Sequence, residues 1–366
     1  MELLSYFHAN APKNSYFVQR KTYIPEQGHI NLYGPRGCGK SALILDHMKV
    51  SSDTLLYIDL EDPNLILTAL ETLSLDEYIK EEKIHTLILD HYEHGMLESF
   101  PAAKRLIVIT RVPMNESPFI PLPMKPLDYE EFLAFEHNAS STSAFNRFLR
   151  VGTLPNVARP GSDSILEHKA FFQRQFTANE QSLLLILSHH NGQLLTTHQI
   201  YSYAKEHFRI SKDFVYAAVK RFEEEGIIHF IENAIAKGAK KMVLYDFAFT
   251  KYLTSKQPFI SQFDTMLALS LIKHDIVFKS MGIHGYITQD HTLIVPAPFD
   301  SEEGFWVKAQ NKFILYKKLK IQKVIVVTVS NSYNFSIGEL DFEALPFYEW
   351  TIVNDEDPST SSGTSL

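Results

Sequence analysis

The sequence has one cysteine, Cys38, in 366 residues, which excludes any disulfide within the chain and fits a reducing compartment. It has no uninterrupted apolar run near the ~18 residues needed to span a bilayer. It also lacks a cationic excess: 35 Lys and Arg stand against 43 Asp and Glu, a net charge of −8. No global positive field therefore draws the chain to nucleic acid or to an anionic membrane, and any such contact must come from a local patch. The opening residues, MELLSYFHANAPKNSYF, lack a basic n-region and an apolar h-region, so no secretory signal is expected. Together these absences predict a cytoplasmic protein without membrane contact. The remaining composition is globular, 45% hydrophobic and 21% charged, and the length predicts two or three domains.

Four apolar runs are present in the first third: HINLY (29–33), TLLYIDL (54–60), HTLILD (85–90) and RLIVIT (105–110). The segments SALILDHM and NLILTALETLSLDEYIKEEK between them have helical spacing. Continuous apolar strands alternating with helices predict a parallel sheet covered on both faces. The proline-rich stretch 113–126 is expected to end that pattern, with helical segments LDYEEFLAFEHN and FNRFLRVGTLP following.

Between the first strand and its helix lies GPRGCGKS, Gly34, Pro35, Arg36, Gly37, Cys38, Gly39, Lys40 and Ser41, a full match to G-x-x-x-x-G-K-[ST]. The glycines let successive backbone N–H groups converge on phosphates, and the helix that follows adds its positive N-terminus. Lys40 is expected to reach the β- and γ-phosphates of ATP, and the Ser41 hydroxyl to ligate Mg²⁺. The loop reads phosphates, which ATP and GTP share. Cys38 sits where its thiol pKa would fall, although a small loop filler is the plainer role.

Asp90 ends its strand, where a second carboxylate for the magnesium shell is needed. The strand at 54–60 separates the phosphate loop from Asp90 in sequence, which suggests the ATPase class with an extra central strand. Thr110, ending RLIVIT, fits the place of a γ-phosphate sensor. His91 stands where a catalytic glutamate is expected, and a neutral imidazole is a poor substitute for a carboxylate. Glu61, directly after TLLYIDL, is therefore the preferred water-orienting residue if hydrolysis occurs, with Asp62 and Glu93 as alternatives. His85, His91 and His94 have no zinc-ligand spacing and are not expected to bind metal.

From residue 177 the pattern changes. Three helical segments begin at Thr177, at Thr196 or Thr197, and at Ser211, each an N-cap residue type. Two short strand candidates, IIHFI and KMVLYDF, follow, and three helices before a hairpin predict a winged helix. The segment 211–226 would be its recognition helix, with Lys212, Lys220 and Arg221, and the wing would offer Lys237, Lys240 and Lys241 to DNA phosphates. The opposing expectation is a protein-docking module, since three glutamates follow those cations. From about 257 the order reads helix, strands GYITQ, TLIVPA and GFWVK, basic helix 309–320, and strand KVIVVTVS. The acidic, Ser-rich tail is expected to be disordered.

GPRGCGKSALI, LLYIDLEDPN, LILD, PLPMKPLDYEEFLAF and FNRFLRVGTLPNVA together resemble a prokaryotic family of AAA-type P-loop ATPases. This is the archaeal-ATPase-like group with a winged helix and a degenerate restriction-endonuclease-like C-terminal domain. The resemblance covers nearly the whole chain and implies that Lys40, Ser41 and Asp90 are nucleotide and magnesium residues. His91 and Arg111 depart from the family pattern, which has an acidic residue and a small polar turn at those places. A live nuclease of this kind needs an acidic residue followed by E-x-K. Here Trp306-Val307-Lys308 replaces the glutamate with tryptophan; Asp290, Glu302 and Glu303 are the carboxylates that compensate only in part.

The expected fold class is α/β. A P-loop ATPase domain with a helical lid spans 1–165, a winged helix 166–256 and a nuclease-like domain 257–353, with a tail at 354–366. The expected function is ATP binding with slow or conditional hydrolysis, acting as a nucleotide-controlled switch. The alternative is a DNA-associated winged-helix module in which ATP is mainly structural. Expected partners are ATP with Mg²⁺, DNA through the winged helix and helix 309–320, and a protein.

Overall fold

The structure is a computed structural model that describes residues 2–13, 16–51, 53–66, 68, 73–136, 140–161, 164–235, 237–254 and 259–353. The tail 354–366, expected to be disordered, lies outside the described residues. The chain divides into two units, Met1–Pro126 and Leu127–Leu366. The physical reason is local. The Leu127 N–H donates to the Thr153 carbonyl, and Lys273 reaches Glu131 at 2.8 Å, so the helices after Pro126 are tied to later segments.

The first unit contains α1 (Glu2–Ala9), β1 (His29–Tyr33), α2 (Lys40–Val50), β2 (Leu55–Asp59), α3 (Leu75–Glu81), β3 (Thr86–Asp90), β4 (Arg105–Thr110) and β5 (Phe119–Pro123). The five strands form one parallel sheet in the order β2-β3-β4-β1-β5. The strand interposed between β1 and β3 is therefore β4, and not the 54–60 strand, which lies at the sheet edge as β2. The proline-rich stretch does not end the sheet, because it supplies β5. Pro121 and Pro123 lack the N–H a central strand would need, and β5 has only β1 beside it, so the loss falls where a sheet edge tolerates it.

Strand alternation sorts the sheet's two faces. Ile30, Leu32, Tyr57, Ile88, Ile107 and Ile109 pack with Leu43 and Ile44 of α2. Leu56, Ile58, Leu87, Leu89, Leu106 and Val108 pack with Leu4 and Phe7 of α1 and with Leu75, Tyr78 and Ile79 of α3. Each fully buried aliphatic side chain contributes about 1.5–3 kcal/mol, so two such layers hold the strand ends that carry the site.

The second unit begins with α4 (Tyr129–Leu133), α5 (Ser141–Val151), α6 (Pro155–Ala158) and α7 (Ser164–Gln175). It continues through α8 (Ala178–His189), β6 (Leu194–Leu195), α9 (Thr197–His207), α10 (Lys212–Glu224), β7 (Ile228–Ile231) and β8 (Lys240–Leu244). Thr177, Thr196 and Ser211 cap α8, α9 and α10, each side chain accepting from a backbone N–H three residues on. The strands form an antiparallel sheet in the order β6-β8-β7.

After α11 (Phe249–Leu253) and α12 (Phe259–Lys273) come β9 (Phe278–Ser280), β10 (Tyr286–Thr288), β11 (Thr292–Pro296), α13 (Glu302–Lys318), β12 (Lys323–Thr328), β13 (Tyr333–Ile337), β14 (Leu340–Pro346) and α14 (Phe347–Val353). The last six strands make a mixed sheet, β13-β14-β12-β11-β10-β9. Hydrogen bonds tie β9 to the segment after β7: Ala234 N–H donates to Ser280 O at 2.8 Å, and Ser280 N–H to Glu232 O at 2.7 Å.

One expected strand is helical. GFWVK lies in the first turns of α13, whose N-cap Ser301 accepts from Gly304 N–H, with Glu302 and Glu303 in the first turn and Lys317 and Lys318 in the last. Those charges complement the helix dipole at both ends. Phe305, Ala309 and Tyr316 turn inward at helical spacing, which overrides the strand preference of an aromatic and β-branched run. Trp306 is 40% exposed and does not pack beneath the helix as a buried anchor.

Candidate functional site

The residues Gly34–Ser41 leave the end of β1 and enter the first turn of α2. Gly37 and Gly39 have φ of +79° and +98°, left-handed values that favour glycine. Gly34 is required by space as well: a Cβ there would lie 2.1 Å from the Met124 carbonyl oxygen. That close approach follows from the return of the chain after β5, where Met124 N–H donates to Tyr33 O at 2.7 Å. Arg36 and Cys38 are buried, and Ser41 is half-buried. Lys40 donates to the carbonyl oxygens of Gly34 and Pro35 at 2.7 and 3.0 Å, with the Cys38 Sγ at 3.9 Å. An ammonium has three protons, and these three acceptors match them, so a phosphate oxygen entering the loop would have to compete with them.

A residue that sequence reasoning missed pins this loop. Buried Arg20 donates to the Cys38 carbonyl at 2.7 Å and to the Lys125 carbonyl at 2.8 Å. It joins the loop to the segment after β5. Nothing in the spacing of 10–28 announces this role.

Asp90 ends β3, and its carboxylate is fully buried. It follows Ile88 by two residues and so lies on the α2 face, the face of the phosphate loop's helix. Its Oδ2 accepts from the Tyr57 hydroxyl at 2.7 Å, and its Oδ1 from the His91 N–H at 2.8 Å. The His91 ring lies 3.7 Å away, and no lysine or arginine pairs with Asp90 among the described residues. A buried carboxylate held by neutral donors, together with a serine hydroxyl, is a set of hard oxygen ligands. That set suits a cation that draws its remaining ligands from water and nucleotide phosphates, as Mg²⁺ does. No group of three or more His, Cys, Asp or Glu side chains could hold a metal by itself among the described residues.

His91 leaves the strand with φ of +57°. Its Nδ1 donates to Asp59 Oδ1 at 2.8 Å, and its Nε2 lies 3.9 Å from Glu61. Burial alone lowers the imidazole pKa, but the bond to Asp59 and the charges of Asp90 and Glu61 outweigh it and raise the value. Burial likewise raises Asp59, yet the bonds from His91 and from the Glu61 N–H hold that carboxyl below its usual range. Asp59 lies on β2, the flank of β3 away from β4 and β1. The imidazole is thus drawn away from the phosphate loop's side of β3.

Glu61 is exposed and pairs with Arg111 at 3.2 Å, while Arg111 also reaches Glu93 at 3.5 Å. Thr110 ends β4. Alternation turns it to the face opposite α2, and its hydroxyl donates to the Val112 carbonyl at 2.6 Å while accepting from Asn31. Asn31 is the polar residue between Ile30 and Leu32 in β1. It donates to Val108 O and accepts from Met114 N–H, so its amide is spent within the sheet.

In the second unit, only part of the expected basic surface is available. Lys241 is buried against Asp264 at 2.6 Å and over the Tyr286 ring. Arg221 pairs with Glu180 at 2.7 Å, and Lys220 with Glu224 at 3.6 Å. Lys212, Lys237 and Lys240 are exposed. Lys308, the remaining residue of the nuclease-like pattern, is held by both Asp300 oxygens at 2.8 Å. Asp290 is taken up by the hydroxyls of Thr288 and Thr292, and Glu302 and Glu303 open α13, so these carboxylates do not converge on Lys308.

No helix among the described residues is long and apolar enough to cross a membrane. No protein-family model matches the chain, and no curated protein matches it. Among solved structures, the chain is similar to a Signal Transduction ATPase with Numerous Domains protein with a tetratricopeptide repeat sensor from Pyrococcus horikoshii. That match has 15% identity and a TM-score of 0.29, and covers 72% of this chain and 50% of the other. The chain thus spans half the length of that protein. It is also similar to a Walker-type ATPase of Pyrococcus abyssi, at 13% identity and TM-score 0.38 over 62% of this chain and 91% of that one. A third likeness is to Drosophila ORC bound to AT-rich DNA, at 17% identity and TM-score 0.20 over 63% and 87% of the two chains.

Proposed function

We propose that the first unit binds ATP with Mg²⁺ and holds it as a nucleotide-controlled switch, with slow hydrolysis. The observation that carries this reading is the run Gly34–Ser41 between β1 and α2, with Asp90 on the α2 face of the same sheet end. In this reading the loop's N–H groups and Lys40 hold the phosphates, and Ser41 and Asp90 hold the cation, which supplies charge neutralisation at the phosphates. Arg111 adds a cation at the end of β4, next to β1.

Slow turnover follows from the acids. Asp59 is occupied by His91, and Glu61, the preferred carboxylate to orient water, is held by Arg111 in an ion pair. Glu61 also follows β2, three strands from β1, a lateral offset of about 14 Å. Calorimetric titration with ATP and Mg²⁺ tests the reading. Lys40→Ala is expected to weaken binding tenfold or more, about 1.4 kcal/mol, and equal affinity in variant and parent would sink it.

The DNA reading rests on exposed Lys212, Lys237 and Lys240 in a winged-helix-like arrangement of α8, α9, α10 and the β7–β8 hairpin. Against it, the hairpin is joined to β9 by backbone pairing, and Lys241 is spent on Asp264. We infer that this module docks within its own unit. Anisotropy titrations with duplex DNA at two salt concentrations separate the readings, because phosphate contacts weaken steeply with salt.

A further inference from the structure

Tyr57 is 4% exposed, in the core beneath α2 with Leu43, Ile44 and Ile88. A tyrosine is an unusual choice for that layer, since every other strand residue in it is aliphatic. Its hydroxyl reaches along the sheet to Asp90 Oδ2 at 2.7 Å. The register explains how. β2 and β3 run parallel with Tyr57 opposite Ile88 and Asp59 opposite Asp90, so Tyr57 and Asp90 share a face and sit diagonally. Burial, and then the adjacent Asp90 charge and the bond to it, push the phenol pKa far up, so it stays a donor.

Asp90 is thereby gripped at both oxygens from two directions, by Tyr57 from β2 and by its neighbour's N–H. A carboxylate's terminal torsion is broad and only weakly preferred, so without the phenol only one bond would fix the carboxylate plane. We propose that Tyr57 is a positioning residue for divalent-cation binding at Asp90, acting by fixing the rotation of that carboxylate. The proposal rests on the nucleotide reading of the phosphate loop above. Partners that orient a ligating carboxylate typically alter metal affinity 10–100-fold when removed.

A purely structural tyrosine, one that merely satisfies its hydroxyl in the core, predicts something else: lower stability with unchanged cation affinity. Tyr57→Phe keeps the ring and removes only the donor. Manganese affinity of the ADP-loaded protein, read by electron paramagnetic resonance, is expected to weaken at least tenfold. ATP affinity in EDTA, read by calorimetry, is expected to stay within twofold of the parent. Ile88→Val, which loosens the same layer without touching the hydroxyl, is expected to leave both unchanged. If Tyr57→Phe fails to fold, Tyr57→Met removes the same donor with a flexible filler and is read in the same way. Unchanged manganese affinity in the folded variant overturns the proposal alone. Absence of nucleotide binding by the parent overturns the phosphate-loop reading and takes the proposal with it.

Discussion

Asn31 donates through Nδ2 to the Thr110 hydroxyl at 2.8 Å, joining β1 to β4 on the sheet face opposite α2. The pair stitches the two strands that flank the phosphate loop from behind. Thr110→Val, which removes the hydroxyl at nearly constant volume, is expected to cost about 1–3 kcal/mol by leaving buried groups without partners. ATP affinity is expected to hold. Urea denaturation and calorimetry measure the two effects; loss of ATP affinity with unchanged stability would assign the γ-phosphate sensor role to Thr110.

Glu61→Gln keeps the shape but removes the basic carboxylate and the charge that holds Arg111. Single-turnover ATP cleavage is expected to fall while ATP still binds. Unchanged turnover would hand the water to Asp62 or Glu93. His91→Glu sets a carboxylate against Asp59 and Glu61, whose repulsion favours rotamers away from β2. Turnover in that variant is expected to rise, and a rate at or below the parent's would show that water orientation is not limiting.

Trp306 on α13 is expected to tolerate alanine within about 0.5 kcal/mol, as exposed positions usually do. A loss of several kcal/mol in thermal melts would place it in a core. Plasmid DNA incubated with Mg²⁺ or Mn²⁺ is expected to stay intact, because Lys308 is paired with Asp300 and, among the described residues, Asp290, Glu302 and Glu303 do not converge on it. Cleavage that vanishes in Lys308→Ala would overturn this.

Asp246, fully buried after β8, accepts from the Thr153 hydroxyl at 2.7 Å and faces the His168 ring at 3.9 Å. Burial pushes its carboxyl pKa up, but His168 and the Thr153 donors outweigh burial and hold it below its ordinary value. A depressed folded pKa contributes stability above the unfolded value, near 3.9, and that contribution is lost as pH falls through the folded one. Asp246→Asn is therefore expected to melt well below the parent at pH 7. The gap is expected to shrink as pH drops below about 4. A gap independent of pH would mean that folding leaves the carboxyl pKa unshifted, and a gap that widens as pH falls would mean that the carboxyl is neutral in the fold.

The glycine-rich turn 34–41, the four long strands, the place of Asp90 at a strand end and the caps at Thr177, Thr196 and Ser211 were legible in the sequence. Each is written locally: glycine spacing, continuous apolar runs, and a hydroxyl before a helix. Which strand lies between β1 and β3 was not legible, because parallel pairing joins residues far apart in the chain. The same limit hid the Tyr57–Asp90 and Asp59–His91 bonds, which depend on the register of β2 against β3. It also hid Arg20, whose two acceptors lie 18 and 105 residues away. GFWVK was misread as a strand for a related reason. Its β-propensity is a weak local term, and the Ser301 cap, the end charges and inward burial of Phe305 and Ala309 overrule it together. The sequence by itself determined that a glycine-rich turn forms between β1 and α2 and that one carboxylate ends β3. Only the tertiary structure decided which face that carboxylate takes and which neighbours hold it, because strand alternation and register are set by packing across the sheet.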